Sequence, residues 1–66
     1  MKLYETYDYK TKKCFWWTQR DKNTNCYEIR QEENSKKFCL LINDIRTEIF
    51  DTFTEAEKKI KELWAA

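Results

Sequence analysis

The sequence predicts an α+β domain: an antiparallel β-meander of four to five strands followed by one C-terminal amphipathic helix packed on one sheet face. Three observations carry this expectation. Short runs rich in aromatic and β-branched residues recur between clusters of Asn, Asp, Ser and Thr. After residue 51 the period of the apolar residues changes from two to three or four. The chain is 66 residues long and has no glycine, no proline and no low-complexity tract, which suits one domain spanning 1–66. At this mass about 60% of the unfolded chain's surface is expected to become buried, enough for one small core.

The strands are expected at about 2–9, 13–20, 26–33, 36–42 and 45–50. Turns fall at Lys10-Thr11-Lys12, at Asp21-Lys22-Asn23-Thr24-Asn25, at Asn34-Ser35 and at Asn43-Asp44. Asn and Asp tolerate left-handed backbone angles better than other non-glycine residues, so they are the natural turn-formers here. The helix is expected at about 53–65. Thr52 and Glu55 form a capping box, and Asp51 adds negative charge near the positive end of the helix dipole. Phe53, Ala56, Ile60, Leu63 and Trp64 then line one side, while Glu55, Glu57, Lys58, Lys59, Lys61 and Glu62 cover the other.

Hairpin pairing assigns the faces, because side chains alternate with period two. A two-residue turn at Asn34-Ser35 pairs Ile29 with Leu40, Tyr27 with Ile42 and Gln31 with Phe38. One at Asn43-Asp44 pairs Ile42 with Ile45, Leu40 with Thr47 and Phe38 with Ile49. One at Thr11-Lys12 pairs Asp8 with Phe15 and Thr6 with Trp17. If Phe15 and Trp17 continue the row of Ile29 and Tyr27, one apolar face crosses the whole sheet and the helix lies on it. The 21–25 loop leaves the register of strand two open by one residue, which exchanges Trp16 for Trp17 as the buried ring.

The opposite face then carries Leu3, Tyr7, Tyr9, Cys14, Trp16, Cys26, Cys39 and Leu41, with Glu5, Glu28, Arg30, Arg46 and Glu48 among them. Tyr7 is expected opposite Trp16, and Tyr9 opposite Cys14. A solvated sheet face is mostly polar, and a single helix cannot cover both sides. Such a surface is read in three ways: as cross-strand pairs that only stabilise a small sheet, as a homodimer interface, or as the dock of another protein, for which an edge strand is the other route. The third reading places the partner-binding residues at Tyr7, Tyr9, Trp16, Arg30, Leu41 and Arg46, since aromatics and Arg amid mixed charge suit a protein partner. Single-stranded nucleic acid is the alternative, using the same rings with Lys10, Lys12, Lys13, Lys36 and Lys37. Against it, Glu28, Arg30, Arg46 and Glu48 neutralise one another, and 13 basic residues face 12 acidic ones, where a phosphate groove wants an excess of Lys and Arg.

The exclusions are chemical. Without glycine there is no P-loop or dinucleotide-binding turn, and without histidine there is no Ser-His-Asp or Cys-His pair. Cys14, Cys26 and Cys39 form no C-x-x-C, which argues against a zinc ribbon or a thioredoxin-type dithiol and points to buried or half-buried thiols in a reducing compartment, a Cys14–Cys26 bridge being the other reading. Carboxylate pairs such as Glu32/Glu33 and Asp44/Glu48 read as surface charge. The expectation is a non-enzymatic protein with no cofactor and no metal. No apolar run follows Met1-Lys2-Leu3, so neither a secretory leader nor a membrane span is expected and the location is read as cytoplasmic. Lys, Ile, Asn, Phe and Tyr make up 27 of the 66 residues, the types that AT-rich codons supply. With the size, this bias points to a phage or mobile-element product that inhibits or modulates a host protein.

Overall fold

Turn chemistry sets the topology. In the computed structural model, which describes residues 1–66, five strands are followed by one helix: β1 (Tyr4–Asp8), β2 (Lys13–Trp17), β3 (Tyr27–Gln31), β4 (Phe38–Ile42), β5 (Ile45–Phe50) and α1 (Phe53–Ala65). The strands form a single antiparallel sheet in the order β1-β2-β3-β4-β5, and α1 packs across β3, β4 and β5. This is the α+β meander that the sequence predicts.

The β3–β4 pairing is as expected, with Ile29 opposite Leu40, Tyr27 opposite Ile42 and Gln31 opposite Phe38. At the β4–β5 turn both central residues are left-handed, Asn43 at φ 52° and Asp44 at φ 67°. That is the turn whose twist matches a right-handed hairpin, and Asn and Asp are the residues that accept it most readily after glycine.

Three registers differ from expectation. Beyond Leu41–Arg46 a bulge leaves Thr47 unopposed, so Glu48, Ile49 and Phe50 face Leu40, Cys39 and Phe38. The expected Leu40–Thr47 and Phe38–Ile49 pairs are therefore absent. Thr47 Oγ1 donates to the Leu40 carbonyl at 3.2 Å. The extra residue rotates Phe50 onto the helix side and turns Ile49 outward.

The β1–β2 turn has four residues, 9–12, rather than two. It pairs Thr6 with Phe15, Tyr7 with Cys14 and Asp8 with Lys13. A two-residue hairpin turn would hold β-branched Thr11 in the left-handed region, which is costly. Here only Lys12 is left-handed, at φ 60°, and Asp8 Oδ1 accepts the Lys10 N–H at 2.9 Å. The shift is two residues, so β1 keeps its faces relative to β2.

The β2–β3 register is shifted by one. Trp16 lies opposite Ile29, Phe15 opposite Arg30 and Trp17 opposite Glu28. A one-residue shift inverts a strand. Trp16 therefore joins the helix side, while Phe15 and Trp17 move to the uncovered side.

The 18–26 loop holds that register. Thr18 N–H donates to the Tyr27 carbonyl at 3.0 Å, and Tyr27 N–H donates back to Thr18 Oγ1 at 3.2 Å. Asp21, buried at 8% exposure, accepts N–H groups from Asn23 at 2.8 Å and Asn25 at 2.9 Å, and the Tyr27 hydroxyl at 2.8 Å. Burial alone pushes the Asp21 pKa up. The donors and the charge of Lys22 outweigh it, and the carboxyl titrates below the usual carboxylate range. A folded-state pKa below the unfolded one stabilises the fold above roughly pH 4, and that contribution is lost as pH falls through the folded value. The thermal midpoint is expected to drop on acidification below about pH 4, and Asp21→Asn is expected to flatten that part of the profile; an unchanged profile in the variant would show that other carboxylates set it.

The core is Tyr27, Ile29 and Leu40 from the sheet with Ala56 and Ile60 from α1, flanked by Trp16, Phe38, Ile42, Phe50, Phe53, Leu63 and Trp64. Thr52 caps α1, its Oγ1 accepting the Glu55 N–H at 3.2 Å and its hydroxyl donating to the Glu55 carboxylate at 3.0 Å. No helix is long and apolar enough to cross a membrane.

Candidate functional site

The side of the sheet away from α1 has no layer over it. Tyr4, Thr6 and Asp8 of β1, Phe15 and Trp17 of β2, Glu28 and Arg30 of β3, Cys39 and Leu41 of β4, and Arg46 and Ile49 of β5 share this face by register. At one end Tyr4 and Trp17 stack with centroids 4.7 Å apart and planes at 25°. Trp17 Nε1 donates to Thr6 Oγ1 at 3.0 Å, which fixes the indole's rotation. In the middle the Arg30 guanidinium lies 5.1 Å from the Phe15 centroid and pairs with Glu28. Arg46 pairs with Glu32. The charges on this face are thus largely satisfied within the sheet.

Beside Trp17 the face sinks into a concavity of about 410 Å³ lined by Thr6, Phe15, Trp17, Thr18, Cys26, Tyr27, Glu28 and Asp44. Its far wall is braced by hydrogen bonds. Asn43 Oδ1 accepts the Cys26 N–H at 3.0 Å, and Asn43 Nδ2 donates to Asn25 Oδ1 at 2.9 Å, so the Asn43-Asp44 turn is tied to the 18–26 loop.

The residues proposed from sequence divide three ways. Arg30, Leu41 and Arg46 are on the open face, Leu41 lying between Glu28 and Arg46. Trp16 is not: its ring packs on Phe53 at 4.7 Å and on Phe38 at 6.1 Å, under the helix. Tyr7 and Tyr9 form their own small patch on the helix side of β1 and its turn, with perpendicular rings 4.9 Å apart and exposures of 46% and 84%. α1 does not reach β1, which leaves Tyr7 bare. Tyr7 lies opposite Cys14, and Glu5 takes the expected place opposite Trp16, with Trp16 Nε1 donating to Glu5 Oε1 at 2.9 Å.

Sequence reasoning missed Tyr4, Phe15 and Trp17 as open-face rings. Adjacent Trp16 and Trp17 make the parity of β2 unreadable by hydrophobicity. The usable signal was Thr18, whose hydroxyl can close the loop onto Tyr27 and so select the register.

The five lysines, Lys10, Lys12, Lys13, Lys36 and Lys37, collect at one end of the sheet, in the β1–β2 and β3–β4 turns and at the start of β2. Lys13 Nζ donates to the Glu32 and Glu33 carbonyls at 2.8 and 3.1 Å, and Lys37 lies 3.5 Å from Asp51. This end is four residues, about 13 Å, along β2 from Trp17, so the lysines and the stacked rings are segregated rather than interleaved.

Chemically the face stacks, packs and pairs charge. All three cysteines are free, and Cys14 and Cys26 lie at opposite ends of the sheet, too far apart to bridge. Burial pushes the Cys39 thiol up, away from the thiolate. No group of three or more Cys, Asp or Glu side chains is close enough together to hold a metal ion. Comparison with protein-family models, with curated proteins and with solved structures gives no match to this chain.

Proposed function

We propose that the protein is a non-enzymatic binding module that docks another protein on the open face of its sheet, centred on Tyr4, Phe15, Trp17 and Leu41. The observation that carries this reading is the uncovered face itself: three half-buried aromatic rings and Leu41 on the side of the sheet away from α1, beside a concavity. Fixed rings with few rotatable bonds and a neutral rim of paired charges are what a protein interface uses, because they lose little entropy on binding and demand little desolvation of unpaired charge. A partner bound this way is affected by occupancy, so the reading is of an inhibitor or modulator rather than a catalyst.

Trp17→Ala is expected to abolish capture of the partner from a native extract while keeping the far-UV spectrum and a cooperative melt. Equal capture by the folded variant would overturn the docking face. A wild-type chain that sediments as a dimer, with a monomeric Trp17→Ala variant, would make the face a self-interface instead.

A further inference from the structure

The concavity beside Trp17 has walls of two kinds. Phe15 and Trp17 supply ring surface, and Glu28 and Asp44 supply carboxylates, with no lysine or arginine among the lining residues. An anion is repelled by such a lining. A neutral apolar group leaves the Asp44 carboxylate unanswered, whereas a cation with a flat or apolar body satisfies both the rings and the carboxylate.

The protein's own side chains already show a cation over a ring twice, and once with a carboxylate as well. The Arg30 guanidinium lies over Phe15 while pairing with Glu28, and Lys2 Nζ is 4.9 Å from the Tyr4 centroid. Trp17 has no such cation, although indole is the best ring for one. Tyr4 is stacked on one side of the indole and does not line the concavity, so the concavity meets what remains of the ring. Asp44 pairs with no cation of this chain. Its backbone sits at φ 67° in a turn anchored through Asn43, which places residue 44 at the rim of the concavity. Glu28 is occupied by Arg30 but keeps further acceptor positions.

We propose that this concavity receives an arginine side chain of the partner protein, its guanidinium lying against Trp17 with an edge toward Asp44. Arginine fits better than lysine because a planar guanidinium stacks on indole and donates in its own plane at the same time. The inference rests on the open face being the docking surface, and it names the chemistry that surface recognises.

The test uses the purified full chain and N-acetyl-arginine amide as the probe, read by the Trp17 indole N–H resonance, which Trp17→Phe identifies. A saturable shift in the millimolar range is expected, absent with N-acetyl-leucine amide and weakened roughly fivefold in Asp44→Asn. Asn tolerates the left-handed angle at position 44, so this variant keeps the turn. No saturation, or equal affinity in Asp44→Asn, overturns the arginine assignment whether or not Trp17→Ala loses the captured protein. Capture by Trp17→Ala reads the docking face alone, so the two failures are distinguishable.

Discussion

Trp16→Ala is expected to leave little folded protein at 25 °C, whereas Trp17→Ala is expected to fold. The two residues are adjacent and chemically identical, and only their faces differ. Trp16 packs on Phe53 and Phe38 beneath α1 and lies opposite Ile29, which is fully buried. Truncating a packed aromatic to Ala costs about 3–5 kcal/mol, and about 2–4 after discounting for its partial burial. A domain of this size holds about 3–5 kcal/mol in total, so most of it is lost. Trp17, half-buried as well but outside the core cluster, gives up its stack on Tyr4, one solvent-exposed hydrogen bond and part of its burial, about 1–2 kcal/mol. Urea unfolding followed by circular dichroism gives both values. A reversed order would mean that β2 is paired one residue away, with Phe15 and Trp17 in the core.

The second large effect is at Ile60. It is the central helix residue of the core, at 0% exposure, in the cluster with Tyr27, Ile29, Leu40 and Ala56. Ile60→Ala removes about 2–5 kcal/mol through lost burial and the cavity left behind. The Thr52 cap contributes about 0.5–2 kcal/mol, and a thirteen-residue helix is marginal in isolation, so α1 cannot persist undocked. Sheet and helix signals are therefore expected to disappear together, with the denaturation midpoint moved close to zero denaturant. Lys61→Ala, one residue along on the exposed side, is expected to stay within about 0.5 kcal/mol of wild type. Separate loss of the helical signal with a sheet that survives would show that α1 is appended rather than integral.

Much of this architecture is legible in the linear chain. The switch of apolar period at Thr52 marks the helix, and its apolar residues Phe53, Ala56, Ile60, Leu63 and Trp64 are those that meet the sheet. Asn43-Asp44 marks a hairpin turn because few non-glycine residues accept two successive left-handed angles. The β3–β4 register follows from the turn centred on Asn34-Ser35, with Tyr27 and Ile29 setting the apolar face of β3. Three features are not legible in the same way. The bulge at Thr47 answers to where Phe50 must pack, the four-residue turn at 9–12 answers to the cost of a left-handed Thr11, and the faces of β2 answer to a loop that closes through side chains.

That last point divides the candidate site. Arg30, Leu41 and Arg46 come from strands whose register local pairing determines, and they are on the open face as expected. Trp16, Tyr7 and Tyr9 were placed through β2, and a single-residue shift there sends Trp16 under the helix and leaves the two tyrosines on the helix side.

By itself the sequence determines the fold class, the order of the elements, the helix face, and that an uncovered aromatic sheet face exists. These follow from local periodicity and turn preference, which act between near neighbours. Which rings occupy that face was decided only in the tertiary structure. Asp21, Thr18 and Tyr27 close the 18–26 loop by hydrogen bonds among side chains and backbone, and that closure holds β2 in the register that puts Trp16 under the helix. Hydrophobicity cannot separate two adjacent tryptophans; buried hydrogen bonds, which exist in one register and not the other, can.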